Sequence, residues 1–316
     1  MLTTPERHLI DKPGLTTTVP REYVHRAALS EVFLTGWEKS GNDAFTVTAQ
    51  WPRSHSFYTP EHDKHDPMLL CETIRQCGML LSHTAYDLPL GHQISWSRVQ
   101  YALNPQAMRI GTKPAELSLH VTCSDVRTVR SVPTSMVMHI EAVRDGSLLA
   151  VASIGFTNYS PAVYERLRTG RSDATRLSES APMPPDPVSR SVAGRQRRRD
   201  IVLSPTQERW RWQLRVDTAH PVLFDHPLDH VPGMLLLEAV RQAGHALDPS
   251  SGGALMPTSM DVSFNRYVEF DAPCWVEAES VSSGIGGARR SVRVNGLQGG
   301  TFAFTATTEM TDMSSV

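Results

Sequence analysis

Long apolar runs are missing from this 316-residue chain, and none approaches the roughly 20 residues that a membrane-spanning helix needs. The first fifteen residues mix Thr, Pro, Glu, Arg, His and Asp without the apolar centre of a secretory signal. Together these absences point to a cytoplasmic protein with no membrane partner. Cysteine is scarce as well. Cys71, Cys77, Cys123 and Cys274 form no CxxC pair and no Cys/His ligand spacing, so neither a disulfide framework nor a zinc site is implied and they read as small reduced core residues. Excess charge is lacking too: the formal net charge of −2 does not provide the basic field of a nucleic-acid binder.

What is present is the composition of a globular protein, 40% hydrophobic and 20% charged, at a length that suits two domains. The chain also repeats itself. MLLCETIRQCG at residues 68–78 returns 166 residues later as MLLLEAVRQAG at 234–244, with seven of eleven positions identical. Around each copy the pattern is a short strand, a turn-rich loop, one long helix and a run of alternating strands. The first half predicts a strand at 44–51, a helix at 67–86 and strands at 93–103, 115–123, 135–143 and 148–159. The second predicts a strand at 208–217, a helix at 233–247 and strands at 259–270, 274–281, 289–294 and 301–310. One helix with about five mostly antiparallel strands is an α+β unit whose sheet can wrap the helix. The expectation is a tandem (double) hotdog fold: an N-terminal hotdog at 15–165, a flexible linker at 166–200 and a C-terminal hotdog at 201–312. The arginine cluster at 195–199 reads as part of that solvated linker.

The duplicated helix carries polar residues in an otherwise apolar frame, and polar groups withdrawn from water need partners. Glu72, Arg75 and Gln76 stand at i, i+3 and i+4, as do Glu238, Arg241 and Gln242, so each set shares one helical face. The plain alternative is a structural ion pair. Before the second helix, Asp225, His226, Asp229 and His230 could orient a substrate or merely cap and turn the chain. Arg53, His55 and Tyr58 are secondary candidates for the first cavity. His62, Asp63 and His65 lack the spacing of a metal site. Tyr101 and Tyr267 read as packing residues.

The segment FDHPLDHVPGMLLLEA at 224–239 is similar to the approach to the central helix in hotdog 3-hydroxyacyl-carrier-protein dehydratases. Counting back from Pro232 and Gly233, the dehydratase histidine position falls on Phe224, or on His226 if a two-residue gap is allowed. Over both halves, with Val19-Pro20-Arg21 and Val24-His25-Arg26 near the start and RSHSFY at 53–58, the chain resembles the AfsA-type A-factor biosynthesis family. That resemblance implies an acyltransferase that condenses a 3-oxoacyl-carrier-protein thioester with dihydroxyacetone phosphate, the first step toward γ-butyrolactone, butenolide or furan signals. It implies Glu72, Glu238 and Arg241 as residues that matter. Carrier protein (or acyl-CoA) and dihydroxyacetone phosphate are the implied partners, with no cofactor, metal or nucleic acid, and the two repeats forming an intramolecular pseudo-dimer.

Acyl transfer to an alcohol needs a base for the hydroxyl proton, a donor for the thioester oxygen and, for this acceptor, a cation for its phosphate. Glu238 and Arg241 are the expected base and cation. The backbone N–H of Gly233 at the helix start is the expected donor, because the matching Pro67 has none. Glu72 completes the catalytic candidates; Arg75, Gln76, Gln242, His226, His230 and Asp229 are the candidate substrate contacts. Two other readings stay open: a hotdog thioesterase or dehydratase, and a non-catalytic acyl or lactone-binding module.

Overall fold

A computed structural model of the chain describes residues 17–248, 255–283 and 289–313. The first half runs β1 (Leu34–Gly41), β2 (Ala44–Trp51), α1 (Pro67–Thr84), β3 (Gln93–Leu103), β4 (Ala115–Val129), β5 (Val132–Arg144) and β6 (Ser147–Tyr159). Three short helices follow, α2 (Pro161–Arg168), α3 (Ala174–Glu179) and α4 (Arg190–Ala193). The second half runs β7 (Leu203–Pro205), β8 (Arg211–Leu214), α5 (Gly233–Ala246), β9 (Leu255–Phe264), β10 (Cys274–Ser283), β11 (Arg289–Gln298) and β12 (Thr301–Asp312).

The start of α1 is built by its own sequence. Asp66 stands extended and its carboxylate accepts the Met68 N–H at 2.8 Å, while Pro67 occupies the first turn, where its missing N–H costs nothing. From Pro67 to His83 every residue of α1 is buried except Arg75. In α5 everything from Met234 to Ala246 is buried, Arg241 included. Helices apolar on nearly all sides belong inside a core, and the sheet supplies it.

All strands join one antiparallel sheet in the order β1-β2-β4-β5-β6-β3-β9-β12-β11-β10-β8-β7. Read from its two ends the order is the same, so the halves are related by an approximate two-fold axis through the β3–β9 seam. There Gln100 faces Asp261 in register, and Arg98 forms an ion pair with Asp261 at 2.5 Å. The expected α+β tandem hotdog is therefore observed, with β1 and β7 added beyond the expected strands. Among the described residues no helix is long and apolar enough to cross a membrane.

The expected flexible linker at 166–200 needs correction. It contains part of α2 and all of α3 and α4, and it buries Arg168 (5% exposed) and Arg195 (2%). Arg195, expected to be solvated with its basic neighbours, is one of the largest fully buried side chains.

Candidate active site

Each helix glutamate is the centre of a closed clasp. Glu72 is fully buried and receives Arg26 (2.9 and 2.6 Å), Arg75 (2.9 Å to each oxygen) and the Gln76 amide (2.6 Å). Glu238, also fully buried, receives Arg195 (2.8 and 2.6 Å), Arg241 (3.2 Å to each oxygen) and Gln242 (2.6 Å). Gln76 fixes the preceding segment by accepting from Phe33 N–H and donating to the Glu31 carbonyl; Gln242 does the same with Val202 and Asp200. The equivalences Arg26/Arg195, Glu31/Asp200 and Phe33/Val202 are all 169 residues apart. They form a second repeat with a different offset from that of the helices.

The clasps also cross between halves. Arg26 donates to the carbonyl of Val222, and Arg195 to the carbonyl of Phe57 and, at 2.6 Å, to Asp66. Both receiving loops are braced by a histidine. His55 Nδ1 accepts the N–H groups of Phe57 and Tyr58, and His220 Nδ1 those of Val222 and Leu223, so in each the proton sits on Nε2 and faces Glu31 or Asp200.

This geometry sets the protonation of the glutamates. Burial alone would raise Glu72, but the guanidiniums of Arg26 and Arg75 overcome it and hold the carboxyl at about 2. Glu238 is likewise held well below the usual carboxylate range, burial again being outweighed by Arg195 and Arg241. A general base works best when its affinity for protons is near the operating pH. Two carboxylates so tightly neutralised are better suited to orienting arginines.

A cavity of about 780 Å³ lies between the halves. Its polar wall contains His25, Arg75, Asp225, His226, His230 and Gly233; Met79, Ile94, Trp96, Leu236 and Phe264 give it apolar surface, and Arg168, Arg171 and Arg266 add positive charge. Helix α5 begins at this wall. Its N-cap is Pro232, which provides no side-chain cap, so the N–H groups of Gly233 and Met234 have no acceptor among the described residues. Gly233 is required for space: a Cβ there would lie 2.7 and 2.8 Å from the Trp96 ring. Two His–Asp pairs stand in the loop before it, His226 Nδ1 at 3.2 Å from Asp225 and His230 Nδ1 at 2.6 Å from Asp229. Asp225 also accepts the N–H groups of Ala27 and Ala28. Burial opposes its ionisation, but His226 and those amides hold it at about 2.

The two-fold counterpart of this cavity is a hollow of about 20 Å³ beside Asp66, Pro67, Arg241, Met256 and Met313, room for about one water. Each hollow thus takes the start of one helix and the arginine of the other. Gly233, His226 and His230 share the large cavity with Arg75, and Asp229 is buried behind His230, whereas the expected partners Glu238 and Arg241 belong to the closed side. Gln76 and Gln242 are fully buried within the clasps rather than in contact with open space. Of the secondary candidates, Arg53 reaches the Gly111 carbonyl, Tyr58 is packed in the core, and the half-buried His55 stacks its ring on Tyr58 at 4.8 Å. Tyr101 is buried as expected. Tyr267 is not merely packing: it lines the cavity with the Arg168 guanidinium 4.5 Å above its ring.

Sequence reasoning missed His25, Tyr164, Arg168 and the clasp role of Arg26 and Arg195. His25 adopts a left-handed backbone (φ 51°) and its Nε2 meets Nε2 of His83 at 2.8 Å. Burial first, then the charges of Arg75, His83 and His226, push its imidazole down to about 3, so it is neutral. For the clasp a signal existed: an arginine, an acid five residues later and an apolar residue two beyond that, at 26, 31 and 33 and again at 195, 200 and 202.

Comparison with known proteins agrees with this architecture. The AfsA family, described as the A-factor biosynthesis hotdog domain, matches residues 10–160 and 177–314. A Streptomyces virginiae protein named 2-oxo-3-(phosphooxy)propyl 3-oxoalkanoate synthase is 45% identical over 290 residues, 92% of this chain and 96% of the relative. A Streptomyces griseus protein of the same name is 39% identical over 286 residues, 90% and 92% of the two chains. Among solved structures, a Lactobacillus plantarum protein described as an oleoyl thioesterase superposes with a TM-score of 0.51 at 11% identity, covering 85% of this chain and 96% of that one. At that identity the likeness speaks for the fold alone.

Proposed function

Because this chain belongs to the A-factor biosynthesis hotdog family, we propose that it joins a 3-oxoacyl group to the free hydroxyl of dihydroxyacetone phosphate. The acyl group arrives as a thioester on acyl carrier protein or coenzyme A. The products are a 2-oxo-3-(phosphooxy)propyl 3-oxoalkanoate, the compound in the relatives' name, and a thiol. One observation carries the reading: the large cavity brings together an uncapped helix start, an arginine and two His–Asp pairs.

In this reading the thioester carbonyl points at the N–H groups of Gly233 and Met234, where the helix dipole favours the negative charge that develops on oxygen. A histidine held by its aspartate takes the hydroxyl proton as the alcohol oxygen attacks, and returns it to the departing sulfur. Arg75 is the cation for the phosphate. Its Nε and Nη2 are occupied by Glu72 and the Val24 carbonyl, which leaves Nη1 for an anion in the cavity. Glu72 then acts by orienting Arg75. Glu238 and Arg241, expected as base and cation, act by holding the two halves in a pseudo-dimeric arrangement, so their loss would impair transfer through the fold.

The test is to incubate the purified protein with a 3-oxoacyl thioester, with and without dihydroxyacetone phosphate, and identify products by mass. Ester formed only with the phosphate present supports the reading. Free 3-oxo acid or enoyl thioester would replace it with a thioesterase or dehydratase, and unchanged thioester with saturable binding would replace it with a binding module.

A further inference from the structure

Sequence patterning gives the segment between the halves no role, yet it packs directly behind one of the two histidines. Tyr164 and Arg168 both project from α2 onto Asp229. The Tyr164 hydroxyl donates to Asp229 Oδ2 at 2.7 Å, and Arg168 donates to the same oxygen at 3.2 Å through Nε and to the Asp229 carbonyl at 2.9 Å through Nη2. Oδ1 is left for His230 Nδ1 at 2.6 Å. An ionised carboxylate only accepts, so Nδ1 of His230 is the donor to it, and in the neutral ring the lone pair is then on Nε2, on a ring that lines the cavity. Glu269 closes the back of Arg168 with two bonds of 2.7 and 2.8 Å. Tyr267 is the shared floor: the His230 ring lies 4.5 Å from it and the Arg168 guanidinium stacks on it at the same distance.

The positions equivalent to Asp229 and His230, 166 residues earlier, are Asp63 and Lys64, and Lys64 is tied into a local bridge with Glu61 and Arg109. His226 also differs: its ring is more exposed, 39% against 25% for His230, and its aspartate is held by backbone amides rather than by a second layer of side chains.

We infer that α2 is part of the catalytic apparatus: Tyr164 and Arg168 are positioning residues that keep Asp229 ionised and oriented, and thereby make His230 the base of the acyl transfer proposed above. The inference rests on that reaction. His230 Nε2 takes the proton of the acceptor hydroxyl as the C–O bond forms. When the C–S bond breaks, the imidazolium returns the proton to the thiolate sulfur, so alcohol and thioester become ester and thiol with no further reactant. Burial works against ionisation of Asp229, and the bonds from His230 and Tyr164 with the charge of Arg168 overturn it. The groups facing His230 are Asp229 on its own loop, Tyr164, Arg168 and Arg171 from the connecting segment, Tyr267 and Glu269 after β9, and Tyr159 at the end of β6.

Removing a donor from Asp229 leaves more of its negative charge to stabilise a protonated His230. Tyr164→Phe therefore moves the acid limb of the kcat/KM profile for ester formation to higher pH by roughly half a unit. Arg168→Gln moves it further, about one unit, and Arg168→Lys brings it back toward wild type. His230→Gln lowers the plateau by roughly a hundredfold or more. Because Arg168→Gln also strips a buried guanidinium from Glu269, the decisive measurement is the titration of the His230 ring by NMR in folded Tyr164→Phe. It needs no turnover and shifts upward if the wiring is real. An unmoved titration and acid limb in Tyr164→Phe, or a His230→Gln variant that retains more than a tenth of the rate, would overturn the inference. A wild-type protein that makes no ester while His230 still responds to Tyr164→Phe would remove the reaction and with it the base role, leaving only the structural coupling.

Discussion

Replacing Arg195 with methionine separates a solvated linker from a buried clasp more sharply than any other single change. Methionine keeps most of the apolar stem, so the loss falls on the guanidinium. That group is bonded to Glu238 at 2.8 and 2.6 Å, to Asp66 at 2.6 Å and to the Phe57 carbonyl at 3.3 Å, and lies 4.8 Å over the Phe57 ring. Without it, among the described residues, Glu238 keeps only Arg241 and Gln242, and Asp66 keeps only the Met68 N–H. Breaking a buried pair by deleting one partner costs about 3–5 kcal/mol, because the remaining charge is stranded. Taken as about 4 kcal/mol with a urea slope of about 2–3 kcal/mol/M, the unfolding midpoint falls by roughly 1.5 M. The control is Arg198→Met three residues away. Arg198 is 63% exposed on its side chain and pairs with an Asp186 that is 91% exposed, so it should change stability by about 0.5 kcal/mol or less. Urea transitions followed by far-UV circular dichroism measure both. Equal midpoints for the two variants would refute the clasp and restore the linker.

Gly233→Ala places a methyl within 2.7 Å of the Trp96 ring, so the ring must move inside the cavity; ester formation should fall by roughly tenfold or more while the unfolding free energy from urea titration drops by only about 1–2 kcal/mol. Arg75→Gln should raise the KM for dihydroxyacetone phosphate by roughly 10- to 100-fold, as expected for a hydrogen-bonded charge, whereas Arg241→Gln should lower stability and leave that KM unchanged; steady-state kinetics with the acceptor varied distinguish them. Stability should fall on acidification in two stages. His25 is neutral when folded, down to about 3 against an ordinary 6.5, so its contribution is complete above pH 6.5 and is lost as pH falls from there toward 3. Glu72 titrates at about 2 against an ordinary 4.5, so its contribution is present above pH 4.5 and is lost between there and about pH 2. Urea midpoints measured from pH 7.5 to 4 should decline, and His25→Gln should flatten the upper part of that decline.

The elements that were legible in the sequence are those whose period and punctuation agree. Strand 93–103 was read at its observed bounds because alternation and flanking turns coincide, and both helix starts were marked by Asp-Pro or Pro-Gly. Strand β1 was invisible because only its first residue is buried; an edge strand facing water has no apolar period to detect. The clasp arginines escaped for another reason. Residues 24–33 (VHRAALSEVF) and 193–202 (AGRQRRRDIV) share little beyond one Arg and one acid, and their offset of 169 does not match the 166 of the helices. Arg195 also sits among other arginines, where charge patterning favours a solvated run. Its burial is decided by Glu238 and Asp66, which come from distant parts of the chain and could not be placed beside it from sequence.

The two-fold arrangement explains why duplication of a polar triad did not give two equal sites. A hotdog pair offers two hollows, each made of one helix start and the other helix's arginine, and local sequence then separates them. On the closed side Pro67 lacks an N–H, Asp66 occupies that of Met68, and Met256 and Met313 fill the space. On the open side Pro232 caps nothing, Gly233 makes room for Trp96, and Arg75 is the single residue of α1 between Pro67 and His83 left partly exposed. Truncating Met313 to alanine would therefore enlarge the small hollow without creating a second site, because the donors needed to polarise a carbonyl are still missing there. A Met313→Ala variant should bind no more than one thioester analogue per chain, measured by calorimetry, and should form ester at the wild-type rate. A stoichiometry of two would mean that helix-start chemistry does not decide which hollow works.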